Sequence, residues 1–235
     1  MQNAFKTSIR LLLAGAMVLA LTPPASARKG KHHTDLTEIL SQMNEASKHL
    51  KTVSANLEYT KVTVLVDDKS TQSGQLFFRK DKTAIRIEFQ KPENKIILFK
   101  KNHGEIYLPK INQIQEYDLG QKSDLVQQFL LLGFGTDTNE LKKNYIPKYV
   151  QEEDMEGDTN VQLELIPRKG SVATQISKIQ LWVSEESWLP TQQKFFENGG
   201  DYTIAHYSGV KVNRVLSNST FELNAAPGAK HVKMN

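Results

Sequence analysis

The stretch AIRIEFQ, residues 84–90, alternates between apolar and polar side chains. Ile85, Ile87 and Phe89 take every second position, and charged or amide side chains fill the positions between them. Successive side chains of a β-strand point to opposite faces, so this pattern predicts a strand with one apolar and one polar face. Such strands are typical of an antiparallel sheet that covers a core with one side and meets water with the other.

The same alternation recurs on both sides of this stretch. Polar turns at residues 67–69 and 198–201 separate neighbouring runs, and the second, Asn-Gly-Gly-Asp, is typical of a β-hairpin. The predicted strands are residues 53–60, 74–78, 85–89, 95–101, 105–108, 113–119, 161–165, 179–183, 194–197, 202–212 and 221–223. No repeat or linker divides this series of about 10–11 strands, so we expect a single domain over residues 28–235.

An amphipathic helix precedes the first strand. Asp35 and Glu38 have the spacing of a capping box. The apolar residues that follow recur at helical spacing, and they are Leu36, Ile39, Leu40, Met43, Ala46 and Leu50. The pattern predicts about four helical turns.

A second helical segment interrupts the strands. Ser123-Asp124 can cap a helix that continues into QQFLLLGFGT, residues 127–136, and Gly133 and Gly135 can end it. The large apolar residues of this stretch are Phe129, Leu130, Leu131, Leu132 and Phe134. The run is far shorter than the roughly 20 residues that span a bilayer, so we expect it to be buried inside the protein. Residues 138–141 begin another short helical turn.

The first 27 residues have the features of a cleaved signal peptide. Lys6 and Arg10 precede the apolar stretch Leu11–Leu21, and Ala25 and Ala27 match the small-residue pattern of a cleavage site. We expect cleavage between Ala27 and Arg28, the alternative being a retained membrane anchor. Cleavage would lower the formal charge from +4 to +2. The chain has no cysteine, which excludes disulfides and a lipid-modified cysteine, so we expect an exported, soluble protein without a lipid anchor.

The sequence carries no recognisable catalytic or metal-binding motif. It lacks G-x-S-x-G, H-E-x-x-H, the P-loop and G-x-G-x-x-G patterns. The acidic run Glu152-Glu153-Asp154 lacks the spacing of a calcium loop, and the charge pattern is not that of a nucleic-acid binder. We therefore expect no enzyme activity, cofactor, metal or nucleic acid, although a Ser/His/Asp site built from distant residues stays open.

One antiparallel sheet of ten or more strands must curl or close, which turns its apolar face into an interior. The two helical segments have apolar stripes that need a partner, so they are natural fillings or lids for that interior. The sequence thus predicts a mainly β protein with helices over an apolar centre.

Several long stretches resemble the LolA-like outer-membrane lipoprotein carriers. These are the opening helix ILSQMNEASKHLKTVSANLEY, the strand pair GQLFFRKDKTAIRIEF, the hairpins NKIILFKKNHGEIYLPKINQIQEY, and the later segments LWVSEESWLPTQQKFFENGGDYT and YSGVKVNRVLSNSTFELNAAPGAKHV. The resemblance covers nearly all of residues 28–235, in the family's order. It implies an incomplete, unclosed antiparallel β-barrel with a helical lid over an apolar cavity.

The resemblance also implies a function. Members of the family receive acylated lipoproteins from an inner-membrane release complex, shield the acyl chains across the periplasm and deliver them to an outer-membrane receptor. This chain would then be a monomeric periplasmic carrier. The residues that would then bind lipid or form the lid are Phe129, Leu130, Leu131, Leu132, Phe134, Ile85, Ile87 and Phe89. The alternative is that the leucines are ordinary core residues.

Family members hold the closed lid with an arginine in an Arg-Pro element. The corresponding stretch here is Phe78-Arg79-Lys80-Asp81, in which Asp81 replaces the proline and the arginine matches either Arg79 or Lys80. Arg79 and Arg86 are therefore the lid-closing candidates, because a guanidinium donates in a planar fork that lysine cannot reproduce. The alternative is that both are outward charges on a solvated sheet face.

Three questions stay open at the level of sequence. Trp182 lies opposite in phase to Leu181 and Val183, so one of these faces meets the interior, and the pattern does not say which. A carrier of glycolipid or phospholipid on the same scaffold is an alternative to a lipoprotein carrier. An envelope-stress signalling module on a related fold and a hydrolase are further alternatives.

Overall fold

The structure is a computed structural model, and it describes residues 34–120, 132, 134–135, 137–168 and 172–234. The helices in these residues are α1 (Leu36–His49) and α2 (Thr138–Asn144). The strands are β1 (Thr52–Thr63), β2 (Asp68–Arg79), β3 (Ala84–Lys91), β4 (Lys95–Lys100), β5 (His103–Leu108), β6 (Gln113–Asp118), β7 (Tyr145–Met155), β8 (Asp158–Pro167), β9 (Ile176–Ser184), β10 (Pro190–Glu197), β11 (Tyr202–Val212) and β12 (Lys230–Met234). Single 3₁₀ turns span Val64–Val66, Pro109–Ile111 and Asn218–Phe221. The predicted signal peptide, with its cleavage site at Ala27 and Arg28, lies outside the described residues.

All twelve strands form one sheet in the order β12-β6-β5-β4-β3-β2-β1-β11-β10-β9-β8-β7. Neighbouring strands are antiparallel except β12, which pairs in parallel with β6. Among the described strands, β12 and β7 remain as the two edges, so the sheet is not closed into a barrel. The prediction of an unclosed, mainly antiparallel β structure with helices is confirmed.

The strand prediction missed two strands and misassigned a third segment. The missed strands, β7 and β12, are the two edge strands, in which charged and polar residues obscure the alternation. The strand predicted at residues 221–223 is wrong, because Phe221 ends the 3₁₀ turn Asn218–Phe221 and is buried against the outer face of the sheet. Phe221 and Leu223 are apolar because they cover this face, rather than because they belong to a strand.

Helix α1 begins where the sequence places its cap. The Asp35 carboxylate accepts a hydrogen bond from the backbone N–H of Thr37 at 2.7 Å, which satisfies one of the free donors of the first turn. Within the predicted apolar stripe, Ile39, Leu40 and Met43 are buried against one part of the sheet, whereas Leu36 and Ala46 are partly buried. Because the helix is short, its stability depends on this packing.

Two apolar clusters occupy the inner face of the sheet. The first joins α1 and Leu132 to inward side chains of β8, β9 and β10, such as Leu163, Leu181 and Phe195. The second joins Phe134 to inward side chains of β1, β2, β3 and β11, including Ile85. Leu132 and Phe134, only two positions apart, therefore contact different halves of the sheet.

Glycine at position 74 is required by a bulge between β2 and β3. The strand register shifts between Ser73 and Gly74, and a Cβ atom at position 74 would lie 1.8 Å from the carbonyl oxygen of Glu88. No side chain can be moved to relieve this contact, because the atom it meets belongs to the backbone.

We expect Gly74→Ala to lower the free energy of unfolding by about 3 kcal/mol or more, because the two central strands must separate locally. Urea unfolding of the purified variant measures this loss. The matched control is Gly199→Ala, since a Cβ atom at position 199 meets no atom within 4 Å. Equal unfolding midpoints for the two variants would contradict the close packing of β2 on β3.

Candidate functional site

A cavity of about 780 Å³ lies on the inner face of the sheet. The strands contribute inward side chains to it, and the loops before β9 and between β10 and β11 form part of its rim. The described lining residues are Leu57, Tyr59, Gln72, Leu76, Ile87, Phe89, Lys95, Ile97, Phe99, Thr174, Gln175, Ile176, Gln193, Phe195, Glu197, Asn198, Gly199, Thr203, Ala205 and Tyr207.

The cavity exists because the sheet curves. Ile97 and Phe99 of β4 and Phe195 of β10 line the same space, although four strands separate β4 from β10 in the sheet. With strands about 4.8 Å apart, a flat sheet would keep them more than 20 Å from each other. The alternation of each strand then supplies an apolar wall, and the curvature brings distant walls together.

One cationic side chain stands on the apolar wall. The Lys95 ammonium donates to the Gln72 amide oxygen at 2.7 Å and lies 4.8 Å from the ring centroid of Phe89. Burial lowers the pKa of Lys95 from its ordinary value, because desolvation disfavours the charged form. Lys95 begins β4 beside the β3–β4 turn, so this charge marks one end of the cavity.

A buried hydrogen-bond network connects the cavity to Leu132 and Phe134. Gln193 is 1% exposed; its amide nitrogen donates to the Leu132 carbonyl and its amide oxygen accepts from the Tyr207 hydroxyl at 3.2 Å. The Tyr207 ring meets the Phe134 ring edge-on, with centroids 4.9 Å apart. Burial raises the pKa of Tyr207, so its hydroxyl stays a neutral donor.

The structure places the predicted lipid-binding residues in three settings. Ile87 and Phe89 line the cavity, whereas Ile85 on the same face is packed inside the second apolar cluster. Leu132 and Phe134 are buried, one in each cluster. The remaining three, Phe129, Leu130 and Leu131, lie outside the described residues, as does the predicted cap at Ser123-Asp124.

The two lid-closing candidates have contacts that the sequence did not suggest. The Arg79 guanidinium donates to the carbonyls of Leu216 and Ser217 and to the side chain of Asn218, and it lies 4.7 Å from the Phe221 ring centroid. These residues belong to the segment that crosses the outer face of the sheet, so Arg79 is buried there rather than solvated.

Arg86 lies on the same outer face. It donates to the Glu88 carboxylate at 2.5 Å and to the Glu222 carbonyl at 2.8 Å. The neighbouring Lys80 instead reaches α1, where its ammonium donates to the Ser47 carbonyl at 2.7 Å. Within the described residues both arginines hold the C-terminal segment, and a lid-closing role for them stays a prediction.

Trp182 faces away from the inner side of the sheet. Leu181 and Val183 belong to the first inner cluster, and Trp182 faces the other way, where its indole N–H donates to the Glu153 carboxylate of β7 at 2.8 Å. The inner face at this strand is therefore the one with Leu181 and Val183.

Several residues that line the cavity were not predicted from the sequence. Tyr207 is an inward position of the predicted strand 202–212, so the alternation alone could have placed it on the apolar face. Gln193 lies one residue before the predicted strand 194–197, because β10 begins earlier than predicted, at Pro190. A buried amide among apolar neighbours is a signal for a satisfied polar network, since an unpaired one would be costly. Lys95 and Gln72 gave no such signal, because their contact depends on pairing between different strands.

The described residues carry no sign of a metal site or a membrane span. No group of three or more histidine, aspartate or glutamate side chains in them could hold a metal ion. None of the helices in these ranges is both long and apolar enough to cross a bilayer.

Comparison with known proteins identifies the family. The profile of outer membrane lipoprotein carrier protein LolA matches residues 48–224, which is most of the chain and includes every strand of the cavity wall. The chain belongs to the LolA family. No curated protein matches this LolA-family chain with significance.

Solved structures share the fold of this LolA-family chain at low sequence identity. An uncharacterized conserved protein from Thermus thermophilus is 12% identical with a TM-score of 0.56, and the match covers 84% of this chain and 98% of that one. Mycobacterium tuberculosis lipoprotein LppX is 12% identical with a TM-score of 0.51, covering 78% and 99%. MucB is 14% identical with a TM-score of 0.52, covering 82% of this chain and 64% of that one.

We expect Gln193→Leu to destabilise this LolA-family protein by about 1–3 kcal/mol, because it leaves the Leu132 carbonyl and the Tyr207 hydroxyl without their buried partner. Urea unfolding measures the change. Gln192→Leu is the matched control, since Gln192 is the adjacent, partly buried residue of the same strand and points to the opposite face. A loss of stability no greater than in the control would show that the network contributes nothing.

Proposed function

We propose that this protein is a periplasmic carrier that binds the acyl chains of lipoproteins in the cavity and takes them from the inner to the outer membrane. The observation that carries the proposal is the 780 Å³ cavity, whose walls are the inner, mostly apolar faces of β1–β4, β10 and β11. Membership in the LolA family, described as outer membrane lipoprotein carriers, supports a lipid- or lipoprotein-binding role in general.

The physical need for such a carrier follows from the hydrophobic effect. Moving one methylene out of water is favourable by about 0.8 kcal/mol, so an acyl chain of about 15 methylenes gains on the order of 12 kcal/mol when fully buried. A bare acyl chain therefore leaves a membrane too rarely to cross an aqueous compartment. The cavity volume falls in the range of about 300–1,000 Å³ that is usual for ligand sites.

Release of the acyl chain requires that part of the free energy gained by burying it be offset. Leu132 and Phe134 are packed into the two inner clusters, and Gln193, which lines the cavity, holds the Leu132 carbonyl. A chain that extends beyond the cavity into these clusters would displace them. The free energy used in that rearrangement lowers the net affinity and makes delivery to an acceptor feasible. In this proposal Leu132 and Phe134 act with Phe129, Leu130 and Leu131 as the lid, and Ile87 and Phe89 contact the acyl chain.

The partners follow from the same proposal. An inner-membrane release complex supplies the acylated lipoprotein and an outer-membrane receptor accepts it. The carrier itself performs no chemistry and needs no cofactor, because binding and release only move the acyl chain between a membrane and the cavity.

A carrier of another lipid is the second candidate, and Lys95 is the observation that favours it. A partly buried ammonium on an apolar wall is complementary to a phosphate or other anionic headgroup. Mass spectrometry of molecules that co-purify with the protein from the periplasm of its own host separates the two. Triacylated lipoproteins or their fragments support the first proposal, and phospholipid or glycolipid supports the second.

We expect Ile97→Asp to weaken the binding of a fluorescent fatty acid at least tenfold, because it places a carboxylate on the apolar cavity wall. Ile96→Asp is the matched control. Ile96 is the adjacent residue of β4, is also partly buried, and points to the opposite face. Fluorescence titration of both folded variants measures the difference, and equal loss in the two would mean that acyl chains bind elsewhere.

Lys95 should make the binding of anionic ligands in the cavity depend on pH. Because the pKa of Lys95 is lowered, its ammonium loses its proton at a lower pH than the ammonium of an ordinary lysine does. The affinity for an anionic fluorescent alkyl sulfonate should therefore fall as the pH rises towards about 10. The sulfonate keeps its charge over this range. Lys95→Gln should flatten the profile, while Lys100→Gln, at the exposed end of the same strand, should not. A profile unchanged by Lys95→Gln would exclude this lysine from headgroup binding.

A further inference from the structure

Three consecutive apolar residues are exposed where β1 turns into β2. Val64, Leu65 and Val66 form a 3₁₀ turn, called here the apolar tip, and their exposed fractions are 53%, 93% and 68%. Asp67 follows in the left-handed conformation, and the return strand β2 begins at Asp68. Leu65, which is 93% exposed at the end of the hairpin, contributes nothing to the core. Because water solvates apolar surface unfavourably, three adjacent exposed apolar side chains indicate a contact with another surface.

The apolar tip lies beside the mouth of the cavity. The backbone N–H of Val64 donates to the carboxylate of Asp201 at 3.0 Å, and Asp201 closes the β10–β11 turn. Two residues of that turn, Asn198 and Gly199, line the cavity. The Pro109–Ile111 turn, where Ile111 is also exposed, lies at the same end of the sheet, because β5 runs parallel to β1.

The dimensions of the apolar tip favour a lipid surface over a protein partner. A stable protein interface buries about 800 Å² on each side, and three side chains on one turn present much less. A small apolar protrusion is instead enough to enter the boundary between headgroups and acyl chains of a bilayer. The charges beside the apolar tip are Lys61 and Lys69 against Asp67, Asp68 and Asp201, which leaves one negative charge in excess. Insertion therefore depends on apolar contact rather than on attraction to anionic lipid.

We propose that the apolar tip inserts into the surface of a phospholipid bilayer and brings the cavity mouth against it. Leu65 is the main inserting side chain, with Val64 and Val66 beside it. The bilayer binding itself does not depend on the cargo. Its role in delivery rests on the proposed function, since an acyl chain leaving the cavity at this end would enter the bilayer without crossing water.

Co-flotation of the cargo-free protein with phosphatidylcholine vesicles tests the proposal. We expect the protein to float with the vesicles at low and high salt, and Leu65→Asp to reduce the bound fraction at least tenfold. Val66→Asp and Val215→Asp form a matched pair. Val215 is 99% exposed and lies roughly 40 Å away at the opposite end of β1, where the Thr52 hydroxyl bonds the Arg214 carbonyl. Val66→Asp should lower binding, and Val215→Asp should leave it unchanged.

A second measurement separates this inference from the proposed function. Leu65→Asp should still bind a fluorescent fatty acid with the affinity of the unchanged protein, because the apolar tip is not part of the cavity wall. Fatty-acid binding without any vesicle binding by the unchanged protein would overturn the inference and leave the carrier function standing. Equal flotation of the Leu65, Val66 and Val215 variants would also overturn it. So would a dimer in sedimentation that Leu65→Asp dissociates, since the apolar tip would then contact a second copy.

Discussion

The structure depends on one constraint: a sheet with one apolar face must cover that face. Helix α1 covers the inner sides of β8 and β9 with Ile39, Leu40 and Met43, and Leu132 and Phe134 cover the centre. Among the described residues nothing fills the space between the inner faces of β4 and β10, and this space is the cavity. The core and the cavity are thus the filled and unfilled parts of one curved surface, built by the same alternation of side chains.

The two ends of the sheet have different properties. At the start of β1 the chain is tied down, because Lys80 bonds the last turn of α1, Arg79 bonds residues 216–218, and the Asn213 side chain accepts from the Lys51 backbone. At the other end lie the cavity mouth, Lys95 and the exposed turn Val64–Val66. The proposed carrier function would use this difference, since a ligand could enter and leave at the open end while the other end stays fixed. Gln193 belongs both to the cavity and to the core, since it lines the cavity and donates a hydrogen bond to the Leu132 carbonyl.

The environment of the outer face of the sheet could not be predicted from the local sequence. Arg79 and Arg86 alternate with inward residues, which correctly places them on the outer face. Whether that face meets water is decided by residues 216–223, more than 130 positions later, which cover both guanidinium groups. The same segment contains Phe221, whose apolar character resembles a strand position but results from packing beneath Arg79. Edge strand β7 was missed because an edge needs no regular two-faced pattern.

The sequence by itself determined the fold class, most strands and helix α1, because a period of two, a period of 3.6 and a cap are local properties of the chain. It also indicated that Ile87 and Phe89 face inwards. Only the tertiary structure decided that β4 and β10 share a cavity, that Gln193 bonds Leu132, and that Lys95 stands on the wall, since these contacts join residues far apart in sequence. It likewise decided that Val64, Leu65 and Val66 are exposed. Spacing records which residues share a face; the curvature and pairing of the sheet determine what that face meets.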